Sequence, residues 1–139
     1  MQKNFILRYY NASKKLEQVL NQLLKPFQLT MRLFVLLHLI QNTQNSVPSL
    51  QKSLGTNKST LSRQLNQLVQ RKLIHSTMST NNHQKHYQLT AAGLQVLNRA
   101  NTAINQINTQ LFKYWSKEEA QLFNVLLDRF QRDITQRLE

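Results

Sequence analysis

Thr56, Lys58, Ser59, Thr60, Ser62, Arg63, Asn66 and Gln67 fall within twelve positions of one another, and His83, Lys85 and His86 follow a short way on. These side chains offer hydroxyl, amide, ammonium, guanidinium and imidazole groups, with no carboxylate or thiol among them. They are suited to recognition rather than bond-making. A guanidinium can bridge O6 and N7 of guanine, a carboxamide can do the same on adenine, and hydroxyls can take phosphates or base edges. On a helical wheel with Leu61 at zero, Leu65 and Leu68 fall within about 40° of it. Ser59, Arg63, Asn66 and Gln70 cluster on the opposite side, with Thr56, Ser62 and Gln67 flanking. The spacing therefore predicts a helix that buries its leucines and turns a row of hydrogen-bonding groups outward. A merely solvated face would mix Glu with its Lys and Arg; here there is none. Double-stranded DNA is the expected partner.

The neighbouring elements must hold that helix in place. Ser46 can cap a short third helix with Pro48 in its first turn and Leu50 and Leu54 facing inward, and Gly55 ends it in a turn open to left-handed geometry. The fourth helix then starts at Thr56 or Asn57 and runs to about Arg71, so the pair forms a helix-turn-helix. Ile74 to Ser79 and Lys85 to Leu89 read as two strands joined by the polar tip Thr80-Asn81-Asn82-His83-Gln84. Upstream, Ile6, Tyr9, Leu16, Leu20, Leu23 and Phe27 stripe a first helix that Lys25-Pro26 ends. Thr30 caps a second helix, 31 to 41, apolar nearly all round and therefore central; Gln41 to Asn45 reads as a loop. Downstream, Thr90 caps a long helix from 91 to about 114, striped by Leu97, Ala100, Ile104, Ile107, Leu111 and Tyr114. A capping box, Ser116 with Glu119, opens a last helix striped by Leu122, Phe123, Leu126, Leu127, Phe130, Ile134 and Leu138. The fold class expected is mainly α with a small β-hairpin: a winged helix-turn-helix lobe plus a helical dimerisation region. One short chain has little to cover three amphipathic stripes near its ends, which predicts a homodimer.

Charge supports the same partner. The chain has 139 residues, 18 Lys and Arg against 6 Asp and Glu, and a formal net charge of +12. No acidic residue lies between Glu17 and Glu118, a stretch that holds eleven of the cations, so the positive field belongs to the middle of the chain and attracts polyanions. The 32 Asn and Gln residues alternate with regularly spaced apolar ones and read as polar helix faces rather than as low complexity. The longest apolar run, Met31 to Ile40, is interrupted by Arg32 and His38 and is too short to span a bilayer, which needs about 20 residues. Met1 to Lys15 lacks an apolar block followed by small residues, so no signal peptide is read and a cytoplasmic protein without membrane contact is expected.

Catalysis is not expected, nor is a cofactor. The only Asp residues, Asp128 and Asp133, lie in the last helix, and two glycines cannot build a phosphate loop. His83 and His86 have the spacing of a ligand pair, but on a polar hairpin without carboxylate or Cys they read as solvent or phosphate contacts, and no metal is expected. Trp115, beside the Ser116 cap, reads as packing. His38, within the buried second helix, reads as a satisfied core histidine.

Ser46 to Leu54, Gly55, Asn57-Lys58-Ser59-Thr60-Leu61-Ser62-Arg63, Leu65, Leu68, Leu73-Ile74, Leu89-Thr90-Ala91-Ala92-Gly93 and Ser116-Lys117-Glu118-Glu119 together resemble the MarR family of winged-helix transcription regulators, a likeness running from about Phe27 to Phe130. The resemblance implies one domain over 1–139, with dimerisation helices at 1–27 and 91–139 and a winged helix-turn-helix at 30–90 whose wing occupies about 74–89. It also implies a homodimer on a palindromic operator, with one recognition helix per half-site, one wing per flanking minor groove, and repression relieved by a small aromatic or anionic effector. His38 is the candidate for the effector site. The sequence departs from the family pattern at Asn81 and His83, where Asp and Arg usually brace the wing tip, at Lys72, where Gly is common, and at Gln51, where a small residue commonly packs. With no Cys, a cysteine-oxidation switch is unavailable. The competing expectations are a sequence-tolerant architectural nucleic-acid-binding protein, favoured by the charge and the altered wing, and a scaffold for a partner protein.

Overall fold

The computed structural model describes residues 4–42, 45–81 and 83–139. Among the described residues there are six α-helices and one antiparallel hairpin: α1 Phe5–Leu24, α2 Met31–Asn42, α3 Val47–Leu54, α4 Lys58–Gln70, β1 Ile74–Met78, β2 Lys85–Leu89, α5 Ala91–Leu111 and α6 Lys117–Leu138. The chain divides into two compact units, Met1–Ile104 and Asn105–Glu139.

In the first unit α2 is the central element, with Leu33, Phe34, Leu36, Leu37 and Ile40 all buried. An all-round apolar helix is stable in water only when other elements enclose it. Leu24, Leu50, Leu61, Leu65, Leu68, Ile74, Tyr87, Leu97 and Ala100 complete the same core. Thr30 caps α2, its hydroxyl accepting from the Leu33 N–H at 3.2 Å. The helix continues through Gln41 and Asn42, two positions read from sequence as loop, because neither residue breaks the hydrogen-bond ladder; residues 43–44 lie outside the described residues. α1 gives way at Lys25–Phe27 to a 3-10 turn, as Pro26 requires. Leu24, which the striping overlooked although it follows Leu20 at a spacing of four, is fully buried, and Leu23 is only half-buried.

Two cations of the acid-free stretch serve this packing. Arg71 donates to the carbonyls of Gln28 (2.7 Å) and Phe27 (3.1 Å), tying the end of α4 to the turn before α2. Arg99 lies over the Phe27 ring at 5.8 Å from its centroid.

The hairpin pairs Ile74 with Leu89 through Met78 with Lys85. Ser46 adds an isolated bridge to His86, and the Tyr87 N–H donates to the Asn45 carbonyl at 2.9 Å, so the start of α3 is fastened to the wing. Lys72 turns the chain from α4 into β1 with φ +59, a left-handed conformation that explains why glycine suits this position. Thr90 closes the base of the wing: its hydroxyl donates to the Lys72 carbonyl (2.6 Å) and accepts from the Gly93 N–H (3.0 Å), while its own N–H donates to the Leu73 carbonyl (3.0 Å). The start of α5 lies so close to this turn that a Cβ at Gly93 would collide with the Leu73 carbonyl. The glycine of the Ala-Ala-Gly motif is thus a packing requirement.

In the second unit α6 starts at the expected capping box, with the Glu119 N–H donating to the Ser116 hydroxyl (3.1 Å) and the Ser116 N–H donating to the Glu119 carboxylate (2.8 Å). α5 stops at Leu111, three residues short of the expected end. There Phe112 folds back to stack edge-on against Trp115, which also meets Phe123. Tyr114 consequently leaves the stripe and is 89% exposed. No residue of α6 is buried, and Leu122, Phe123, Leu126, Ile134 and Leu138 are exposed.

Candidate nucleic-acid interface

α4 is built as its sequence predicts. Asn57 is the N-cap, its side-chain oxygen accepting from the Thr60 N–H at 2.8 Å, and Gly55 makes the preceding left-handed turn at φ +61. Ser46 caps α3 through the Ser49 N–H, with Pro48 in the first turn. Leu61, Leu65 and Leu68 anchor α4 in the core, and Ser59, Arg63, Asn66, Gln67 and Gln70 are exposed along its outer surface.

That surface divides into flanks. On the wing side, Lys58, Ser62 and Asn66 of α4 meet Lys85 of β2 around a groove of about 450 Å³, completed by Val47, Pro48, Gln51, Gln84 and Tyr87. Four of the eleven expected site residues therefore share one groove. Burial raises the Tyr87 phenol above its ordinary pKa. On the other flank, half-buried Thr56 lies beside Arg32 and Gln64 in a separate hollow of about 340 Å³ that Glu17 also lines. Arg63 stands on the crest between solvent and helix, its Nη2 donating to the half-buried Thr60 hydroxyl at 3.4 Å. The Ser59 hydroxyl donates to the Asn57 side-chain oxygen at 2.9 Å.

The two wing histidines part company. His83 is exposed at the tip, with φ +55, and its N–H donates to the Ser79 carbonyl. His86 is half-buried and shares a 3.2 Å hydrogen bond between Nδ1 and the Asn45 side chain, one position out of phase with Lys85 on the strand. His38 is half-buried, with Nε2 hydrogen-bonded to Asn101 at 2.8 Å and the ring edge-on to Phe34. Among the described residues no group of three His, Cys, Asp or Glu could hold a metal ion, and no single helix is long and apolar enough to cross a membrane.

Of the groove residues that spacing did not single out as functional, Val47, Pro48, Gln51, Gln84 and Tyr87, Gln51 is the one that departs from the family pattern. It stands where the MarR resemblance expects a small packing residue, but its half-buried side chain lines the groove instead. The signal was its departure from that pattern.

The winged helix DNA-binding domain family matches residues 31–107, more than half of the chain. Among solved structures, wild-type MarR from E. coli in its apo form is similar at 21% identity, covering 94% of this chain and 97% of that one with a TM-score of 0.78. The S. aureus MepR–DNA complex is similar at 20% identity over 95% of this chain and 96% of that one, TM-score 0.76. A MarR protein from Peptoclostridium difficile reaches a TM-score of 0.86 at 16% identity, over 99% of this chain and 91% of that one. At these identities the likeness is one of fold. No curated protein matches by sequence.

Proposed function

The chain belongs to the winged helix DNA-binding domain family and has the fold of the MarR regulators, and from that premise we propose that it is a sequence-specific transcriptional repressor, binding a palindromic operator as a homodimer. The carrying observation is α4: three leucines hold one side in the core while Ser59, Arg63, Asn66 and Gln67 stand exposed on the other, with no carboxylate among them. In this reading α4 enters the major groove and the hairpin reaches the adjoining minor groove. The similar S. aureus MepR fold, solved as a complex with DNA, supports it. The exposed stripes of α1 and α6 support pairing with a second copy, and a small aromatic or anionic effector would act by changing how the two α4 helices are presented. A regulator of this kind works in the cytoplasm.

Arg63 carries the test. A bidentate contact to guanine makes Arg63→Ala cost about 1 to 3 kcal/mol per half-site on the operator and relaxes preference at one base pair, repeated across the dyad. Gel-shift titrations at fixed salt, on operator, single-base variants and random duplex, read both effects. Equal losses on operator and random DNA would instead make Arg63 a phosphate contact. Unchanged operator affinity in a folded variant would remove it from the interface.

One observation favours a second reading. The wing tip has Asn81 and His83 in place of a charged pair, on a chain of net charge +12, and both features suit an architectural protein that coats DNA irrespective of sequence. A footprint distinguishes them: a bounded palindrome for the repressor, uniform protection for the coating protein.

A further inference from the structure

The groove between α3, α4 and β2 is lined by two ammonium groups, Lys58 at the first turn of α4 and Lys85 at the start of β2, and by no carboxylate. Among the described residues the one ion pair joins Lys14 to Glu17, and Glu17 is the only acidic residue before Glu118. Both lysines are exposed. Like charges on the walls of one groove repel each other, and an anion seated between them removes that repulsion while attracting both. Ser62 and Gln51 add neutral donors on the same walls, Gln51 from a third element.

Duplex geometry identifies the anion. A helix in the major groove and a hairpin in the adjoining minor groove have a single sugar–phosphate backbone between them. That backbone must pass between α4 and β2, where this groove of about 450 Å³ lies. We propose that the groove seats one DNA backbone phosphate, shared by Lys58 and Lys85 with Gln51 as a third donor, so that recognition helix and wing are locked to the same nucleotide. The proposal rests on the DNA-binding reading above.

The test uses the full chain and a random-sequence duplex, with affinity measured by fluorescence anisotropy across a salt series for the wild type, Lys58→Gln, Lys85→Gln, the double variant and Gln51→Glu. Thermal melting confirms that each is folded. Each neutralised phosphate contributes about 0.9 to the slope of log affinity against log salt. A single shared phosphate makes the double variant lose about 0.9 per protomer, with the two lysine effects on affinity non-additive; two separate phosphates make it lose about 1.8 with additive effects, which overturns the proposal. Gln51→Glu puts a carboxylate beside the phosphate and is expected to weaken binding more than tenfold; unchanged affinity also overturns it. A second arm neutralises phosphates one at a time as methylphosphonates in a site selected from a random pool. The wild type should be sensitive at one position per half-site at which both single lysine variants are less sensitive and the double variant is indifferent, and a different position for each lysine contradicts the sharing. A wild type that binds no duplex at low salt overturns the underlying reading, an outcome distinct from any change of slope.

Discussion

Lys72 and Gly55 present the same backbone problem with opposite solutions. Both lie in the left-handed region, at φ +59 and φ +61, and both end a helix of the DNA-binding module. A side chain there costs roughly 1 to 2 kcal/mol, partly offset by the extra freedom glycine brings to the unfolded chain. Lys72→Gly should therefore raise stability by about 0.5 to 1 kcal/mol, and Gly55→Ala, with open space around the new methyl, should lower it by about 1 kcal/mol through strain alone. Gly93→Ala belongs to a different class: its Cβ meets the Leu73 carbonyl, a backbone atom that also accepts from Thr90, so the start of α5 must shift. Its cost is expected at about 1 to 3 kcal/mol or more, and urea unfolding midpoints of the three variants should fall in that order.

Elements that stand on a single local device are where the sequence was most readable. Ser46, Asn57, Thr90 and Ser116 each announce a helix start, and each side chain accepts the backbone N–H three residues on. α4's two surfaces follow from its leucine spacing alone. What sequence could not show was long-range. The unwinding of α5 at Phe112 depends on rings that meet only once α6 is in place. The pairing of Lys58 with Lys85 around one groove required the register of β2 against α3. The capping box of α6 gives an element-scale prediction with a definite pH sign. The Glu119 carboxyl is held below its ordinary value by the Ser116 N–H and then by the Ser116 hydroxyl. A lowered folded-state pKa means the stabilisation is complete above the ordinary glutamate range and is lost as pH falls through the depressed value. Glu119→Ala should thus melt earlier than wild type near neutral pH, and the difference should shrink in acid; a difference that grows on acidification would contradict this origin for the shift.

At the scale of the whole molecule, large apolar side chains stand exposed on both α1 and α6. Ile6, Leu7 and Tyr10 of α1 and Leu122, Val125, Leu126 and Leu138 of α6 are each more than half exposed. Patches of this kind mark association surfaces, and a second copy of the chain is the partner that the repressor reading supplies. Sedimentation of the wild type should give a dimer, and Leu126→Lys should shift it toward monomer and weaken operator binding by removing the second half-site. In the repressor reading such a pairing would determine what DNA the protein can read, because two α4 helices related by a two-fold axis require two half-sites related in the same way. The most direct measurement is therefore selection of binding sites from a random duplex pool by the full-length protein, followed by footprinting of the enriched sequence. The account predicts a palindrome whose half-site centres lie about 10 to 10.5 base pairs apart, or a multiple of that, with protection confined to it. A pool that enriches no motif, with protection spread evenly along every duplex, would contradict it.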